Sequence, residues 1–166
     1  MKKLIYCVAA LATMFLAGSC QQEIFEPAAK SNTVTYTVEA PADVLTKTIG
    51  DGLNVTELIY EVWHTSADGT TDLTGAKKLY QASKGMEVVN GVRRTVITLD
   101  LLADQHYTIL FWAQVEGTGV YNTTNLVNVH YNTENLKEAY YANDDALAAF
   151  YAVDFVNDGI ARNSKV

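Results

Sequence analysis

Strict alternation of apolar and polar residues begins at Thr33. Val34, Tyr36 and Val38 share one side of an extended chain, while Thr33, Thr35, Thr37 and Glu39 share the other. Successive side chains of a strand point to opposite faces, so this pattern predicts a strand with one buried face. Ala40-Pro41-Ala42-Asp43 ends it, and Leu45 to Asn54, with Gly50-Asp51-Gly52, reads as an exposed loop. A second strand sets Leu58, Tyr60 and Val62 against Ile59, Glu61 and Trp63. Ser66-Ala67-Asp68-Gly69 is a turn signal, because Asp-Gly suits the positive φ of a hairpin. Lys77 to Gln81 predicts a short edge strand whose two leading lysines guard it against foreign pairing.

Val92 to Leu101 predicts a strand with Ile97, Leu99 and Leu101 inward and Val96, Thr98 and Asp100 outward. The strongest strand is His106 to Glu116. Both its sets, Tyr107-Ile109-Phe111-Ala113-Val115 and Thr108-Leu110-Trp112-Gln114, are largely apolar, which places it centrally and covered on both faces. Gly117 to Gly119 is a turn, and Leu126, Val127 and Val129 open a strand ending near Tyr131. Asn143-Asp144-Asp145 before Ala146 to Phe150 predicts a capped short helix. Tyr151, Val153 and Phe155 alternate with Ala152, Asp154 and Val156 in a last strand. Asn157-Asp158-Gly159 is a turn close to Val166, so a further strand or domain is expected to be missing at the C-terminus. Strands at this spacing predict a mainly β domain, an immunoglobulin-like β-sandwich with one short helix.

The first 32 residues follow another logic. Lys2-Lys3 precede Leu4 to Leu16, apolar but for Thr13, and Ala17-Gly18-Ser19-Cys20 leads at once to polar Gln21-Gln22-Glu23. This is the charged, apolar and small-residue order of a cleavable secretory signal. The 13-residue apolar run, as a helix, covers about 20 Å and falls short of the roughly 30 Å hydrocarbon core. Leu16-Ala17-Gly18-Ser19-Cys20 resembles the bacterial lipobox, in which the cysteine thiol is acylated. The expected organisation is a lipoprotein signal peptide at 1–19, a flexible tether at 20–32 and a β-sandwich domain at 33–166. Acyl chains on Cys20, each buried CH₂ contributing about 0.8 kcal/mol, would attach the protein to membrane.

Composition narrows the rest. Cys7 and Cys20 are the two cysteines; one leaves with the signal and the other is lipidated, so the domain folds without a disulfide. Losing residues 1–19 leaves 147 residues and moves the formal charge from −7 to −9. An acidic chain does not offer nucleic acid the basic footprint it needs. His64, His106 and His130 form no metal-ligand spacing, and Asp68-Gly69-Thr70-Thr71-Asp72 lacks the full pattern of a calcium loop. There is no GxSxG and no phosphate-cradling loop, so no catalytic residue, metal or cofactor is expected and the chain reads as non-enzymatic. Core packing and strand propensity account for most of Trp112, Tyr121, Tyr131, Tyr140 and Tyr141; the alternative is an aromatic surface for a sugar or a partner protein, with Tyr140-Tyr141 the pair expected to be most exposed.

Taken in order, the lipobox, TVTYTVEAP, TKTIGDG, LIYEVWH, YTILFWAQ and NDDALAAFYA resemble the fimbrillin-like lipoproteins of Bacteroidales, and more narrowly a family built on a domain of unknown function. The resemblance spans about residues 33–159. It implies a transthyretin-like β-sandwich carried to the outer membrane, at the cell surface or in a fimbrium, with the periplasmic face as the alternative. In that family a protease cuts after a basic residue in the loop behind the first strand, and the vacated groove takes a strand from another subunit. Lys47 stands where the polymerising relatives usually have Arg. The implied function is adhesion or fimbria assembly by strand addition; the alternative is a glycan-binding module of an outer-membrane uptake system.

Overall fold

The structure is a computed structural model that describes residues 31–40, 52–66, 69–134, 144–157 and 160–161. The signal segment, residues 20–30 of the tether, Cys20, Lys47 and Tyr140-Tyr141 lie outside the described residues, while Ser31 and Asn32, expected in the tether, open the first strand. Ten strands are described: β1 (Ser31–Glu39), β2 (Glu57–Thr65), β3 (Lys77–Gly85), β4 (Glu87–Val89), β5 (Val92–Leu102), β6 (His106–Gln114), β7 (Tyr121–Asn122), β8 (His130–Tyr131), β9 (Ala149–Asn157) and β10 (Ile160–Ala161). They form three antiparallel sheets, ordered β1-β5-β4, β10-β9-β6-β2-β3 and β7-β8.

The first two sheets pack face to face over one core. Val34, Tyr36 and Val38 of β1 and Ile97, Leu99 and Leu101 of β5 meet Leu58 and Val62 of β2, Val156 of β9 and Tyr107, Ile109, Phe111 and Ala113 of β6. The alternation anticipated at β1 and β5 is therefore the inner face of the three-stranded sheet. In β6 the apolar residues of both sets are covered: Leu110 is buried on the outer side, against Ile59 and Leu126. A strand with two apolar faces has to sit between two layers, which is why β6 lies in the middle of the five-stranded sheet.

Several expectations are corrected. Leu126–Asn128 is a 3₁₀ turn, and strand pairing is confined to His130–Tyr131. Asn125 Oδ1 accepts from Val127 N at 2.9 Å and Glu61 Oε1 accepts from Leu126 N at 3.0 Å, so side chains hold donors that a ladder would need. The short helix is a 3₁₀ segment, Asp144–Leu147, and Ala149 and Phe150 belong to β9, paired with Gln114 and Ala113. The edge strand expected at Lys77–Gln81 continues to Gly85. After the 157–159 turn signal, Ile160 and Ala161 pair back onto β9. The supported class is a mainly β sandwich of antiparallel sheets with little helix.

One hairpin has a plain sequence cause. Asn90 and Gly91 take φ of 54° and 81° between Val89 and Val92, which face each other across β4 and β5. Two consecutive positive φ values define the type I′ turn, for which Asn-Gly is the preferred pair.

Candidate functional site

β1 is an edge strand. Its hydrogen-bonding neighbour is β5, in register from Ser31 opposite Leu102 to Glu39 opposite Arg94. Its polar face adds a hydrogen bond from Thr33 Oγ1 to Asp100 Oδ1 at 2.9 Å and a loose Glu39–Arg94 ion pair at 3.9 Å. Past the strand, Ala40 N donates to Arg93 O at 2.9 Å. The apolar face lies deep: Val34 and Val38 are 5% exposed and Tyr36 is 0% exposed. The Tyr36 ring meets Phe111 of β6 edge-on, with centroids 5.2 Å apart. Beside the end of β1, a cavity of about 230 Å³ runs between Val38, Ala40, Phe111 and Ala152.

The bed beneath β1 holds a carboxylate. Asp154 on the inner face of β9 is fully buried. The buried Tyr36 hydroxyl has no hydrogen-bond partner. Burial, then the charge of Asp154 and the hydroxyl–carboxylate interaction, still push the Tyr36 phenol far above its ordinary range.

A second feature lies on the outer face of the five-stranded sheet. Glu61 is fully buried there. Its carboxylate accepts from Trp63 Nε1 at 2.8 Å, Lys78 Nζ at 3.1 Å and Leu126 N at 3.0 Å. It thereby pins the segment carrying β7 and β8 onto the sheet. That segment brings aromatic rings together: Tyr121 meets Trp112 edge-on at 5.1 Å and stacks on Tyr131 at 5.2 Å. Tyr121 donates to Leu147 O at 2.6 Å, and burial, with Tyr131 as the next cause, pushes its phenol up to about 12. Tyr131 and Tyr151 stay 51% and 52% exposed, enough for a ring face to meet a ligand.

The remaining candidates are dispersed. His64 Nε2 donates to Gln105 Oε1 at 2.8 Å and His130 Nδ1 to Asn128 O at 3.1 Å, while His106 on β6 stands opposite Thr65, one position along the ladder from His64. Asp72 caps a local turn, accepting from Thr74 N at 2.9 Å, and that backbone bond holds its carboxyl below the ordinary range. Asp68 lies outside the described residues. Among the described residues no group of three or more His, Cys, Asp and Glu converges, and no helix is long and apolar enough to cross a membrane. The residues that reading by alternation passed over are Glu61 and Asp154. Their signal lies in LIYEVW and AVDFV, where a lone acid interrupts an otherwise apolar run.

The model of a family of unknown function, DUF6562, matches residues 26–157. The chain belongs to that family. No curated protein sequence matches it significantly. Among solved structures, a fimbrial assembly protein from Parabacteroides distasonis ATCC 8503 is similar over 82% of this chain and 50% of its own, at 10% identity and a TM-score of 0.36. This DUF6562 chain thus spans half the length of that protein. So distant a likeness is noted as similarity of a β-rich fold, and the functional reading rests on the β1 edge and the sequence.

Proposed function

We propose that this DUF6562 protein is a non-enzymatic, fimbrillin-like surface lipoprotein that works by strand addition. Lipid on Cys20 holds it at the outer membrane, and the tether, up to the start of β1 at Ser31, sets the domain off from the bilayer. Cleavage after Lys47 frees β1, and a strand from another subunit takes its place beside β5. The observation that carries this reading is the form of β1, a nine-residue edge strand paired to one neighbour that buries Val34, Tyr36 and Val38. Its departure would uncover apolar surface together with unpaired backbone groups on β5, and an extended segment satisfies both at once.

The test has two arms. Cys20→Ala should abolish palmitate labelling and release the protein from membranes; a mutant that keeps lipid would sink the anchoring half. Cutting after Lys47 should produce oligomers by light scattering, and a Thr33–Glu39 peptide should block them. A cut chain that stays a monomer would sink strand addition.

The contact of Trp112, Tyr121 and Tyr131, with Tyr131 half open to solvent, favours one other reading, a glycan-binding surface. Sugar rings stacking there would quench tryptophan fluorescence and lose affinity in Tyr131→Ala. A glycan array without binders would remove it.

A further inference from the structure

β1 fills its bed in the middle and underfills it at one end. The inward alternation of Val34, Tyr36 and Val38 runs on to Ala40, which is 4% exposed and still bonded to the ladder, its N donating to Arg93 O at 2.9 Å. Ala40 thus holds a fourth inward place, with the smallest side chain of the four. The walls facing it are small as well. Ala113 of β6 lies opposite Leu58 of β2, and Ala152 of β9 lies opposite Phe111 of β6. Together with Val38 and Ala40 these residues border the cavity of about 230 Å³. Its lining is apolar apart from Glu39 and the phenol-bearing Tyr151. An apolar cavity of about 150 Å³ takes a benzene molecule, so there is room here for a branched or aromatic side chain in place of alanine's methyl. In a strand laid beside β5, the residue at the place of Ala40 points to this side, and its neighbour at the place of Glu39 points to the opposite face.

We infer that the underfilled place at Ala40 is the pocket that selects the incoming strand: it takes a large apolar side chain, such as leucine, methionine or phenylalanine, from an extended segment of another subunit. That side chain sits two residues beyond the one at the place of Val38. This deepens the strand-addition reading and rests on it. β1 holds its slot with the advantage of belonging to the same chain, and an identical strand from elsewhere brings no contact that β1 lacks. A strand that also fills the cavity removes further apolar surface from water and makes the packing contacts that alanine leaves unmade. It displaces β1 rather than merely changing places with it. The same side chain fixes register. A segment shifted by two residues would leave it outside the slot or crowd it onto the filled place of Val38. The partner segment is therefore unlike β1 at its fourth inward place, and like it at the other three in being apolar.

The mature chain, with one site-specific protease sequence inserted after Lys47, is cut and titrated with fluorescein-labelled peptides spanning residues 31–42. The peptide of natural sequence should enter by exchange. The Ala40→Leu peptide should bind about tenfold or more tightly, the size expected when two or three further carbons are buried in an apolar site. In a chain carrying Ala152→Leu, which narrows the cavity from the opposite wall, that advantage should shrink to about twofold or reverse. If Ala152→Leu does not fold, Ala113→Val narrows the cavity from β6 and should shrink the advantage likewise. Equal or weaker binding of the Ala40→Leu peptide to the unaltered chain overturns the inference and leaves strand addition standing. An advantage undiminished in the narrowed chain does the same, since the gain would then come from somewhere other than the cavity. Failure of every peptide to enter overturns strand addition, and the inference falls with it.

Discussion

Among the described residues β1 and β3 are both nine-residue edge strands, each laid antiparallel on a single neighbour. They differ in what their side chains do. β1 sends every second residue from Val34 to Val38 into the core, whereas β3 leaves all but Ala82 exposed and carries Lys77, Lys78 and Lys84. Backbone pairing is therefore common to both, and burial distinguishes them. Losing β3 would uncover a sheet edge; losing β1 would uncover a core. β3 is also tied across the sandwich, where Lys84 Nζ donates to Val96 O of β5 at 2.6 Å, and beside its own neighbour, where Met86 N donates to Thr56 O at 2.7 Å. An edge guarded by lysines resists foreign strands, whereas an edge held by buried valines and a tyrosine would leave an apolar groove if it departed.

The largest test of this contrast is to empty the contact beneath β1. Phe111→Ala should destabilise the domain by about 3–5 kcal/mol, as large-to-small changes do in a tight core, and Tyr36→Ala should fall in a similar range. Leu79→Ala on β3, where the side chain is 42% exposed, should stay within about 0.5 kcal/mol. Denaturant melts measure all three, and comparable losses on the two strands would erase the distinction.

β3 has one residue that should behave otherwise. Lys78 reaches over the sheet to buried Glu61 at 3.1 Å. Lys78→Met would leave part of that carboxylate's hydrogen bonding unmet, with a loss of about 1–3 kcal/mol. Lys77→Met, at an exposed position, should change stability by less than about 0.5 kcal/mol. Equal effects would mean that Glu61 does not depend on β3. Because Glu61 also holds Leu126 N, Lys78→Met should quicken amide exchange around 125–128.

Periodicity carried the strands because burial here follows the period-2 rule, and β1, β5 and β6 each have an unbroken apolar set. It failed where side-chain acceptors compete for backbone donors, as Asn125 and Glu61 do at Leu126–Asn128. It failed again at Ala149 and Phe150, where pairing with β6 outweighs alanine's helix preference. β4 went unseen although Asn90-Gly91 announced its hairpin. The exposed or buried state of Glu61 and Asp154 was not legible, since burial of an acid depends on what crosses above it. For Glu61 that is a segment more than sixty residues away, and for Asp154 a strand from the far end of the domain.

Alkali separates the two edges by proton linkage. The phenols of Tyr36 and Tyr121 titrate above the ordinary 10.0, that of Tyr121 at about 12. Above pH 10 the unfolded chain gives up these protons first, so the folded state binds more of them. Stability from this source is whole below about pH 10 and drains away as pH climbs toward 12 and beyond. Tyr36→Phe should flatten that loss. Tyr80→Phe on β3, whose phenol is also raised mainly by burial but stays 39% exposed, should alter it less. Phenolate absorbance rising to completion while circular dichroism remains native would show that Tyr36 is not sealed in the core.

The smallest effect is expected at the solvent face of β1, and it isolates what holds the strand. Glu39 and Arg94 pair at 3.9 Å with side chains 31% and 40% exposed. Exposed pairs of this kind are worth about 0–1 kcal/mol, because water screens them and both chains lose freedom. Glu39→Gln should therefore cost less than about 0.5 kcal/mol at ordinary salt, and raising the salt should shrink even that. Val38→Ala, one residue earlier and on the buried face, should cost several times more. If Glu39→Gln instead matched Val38→Ala, β1 would be fastened by its rim charges. Its release would then respond to ionic strength, and burial of Val34, Tyr36 and Val38 alone would not hold it.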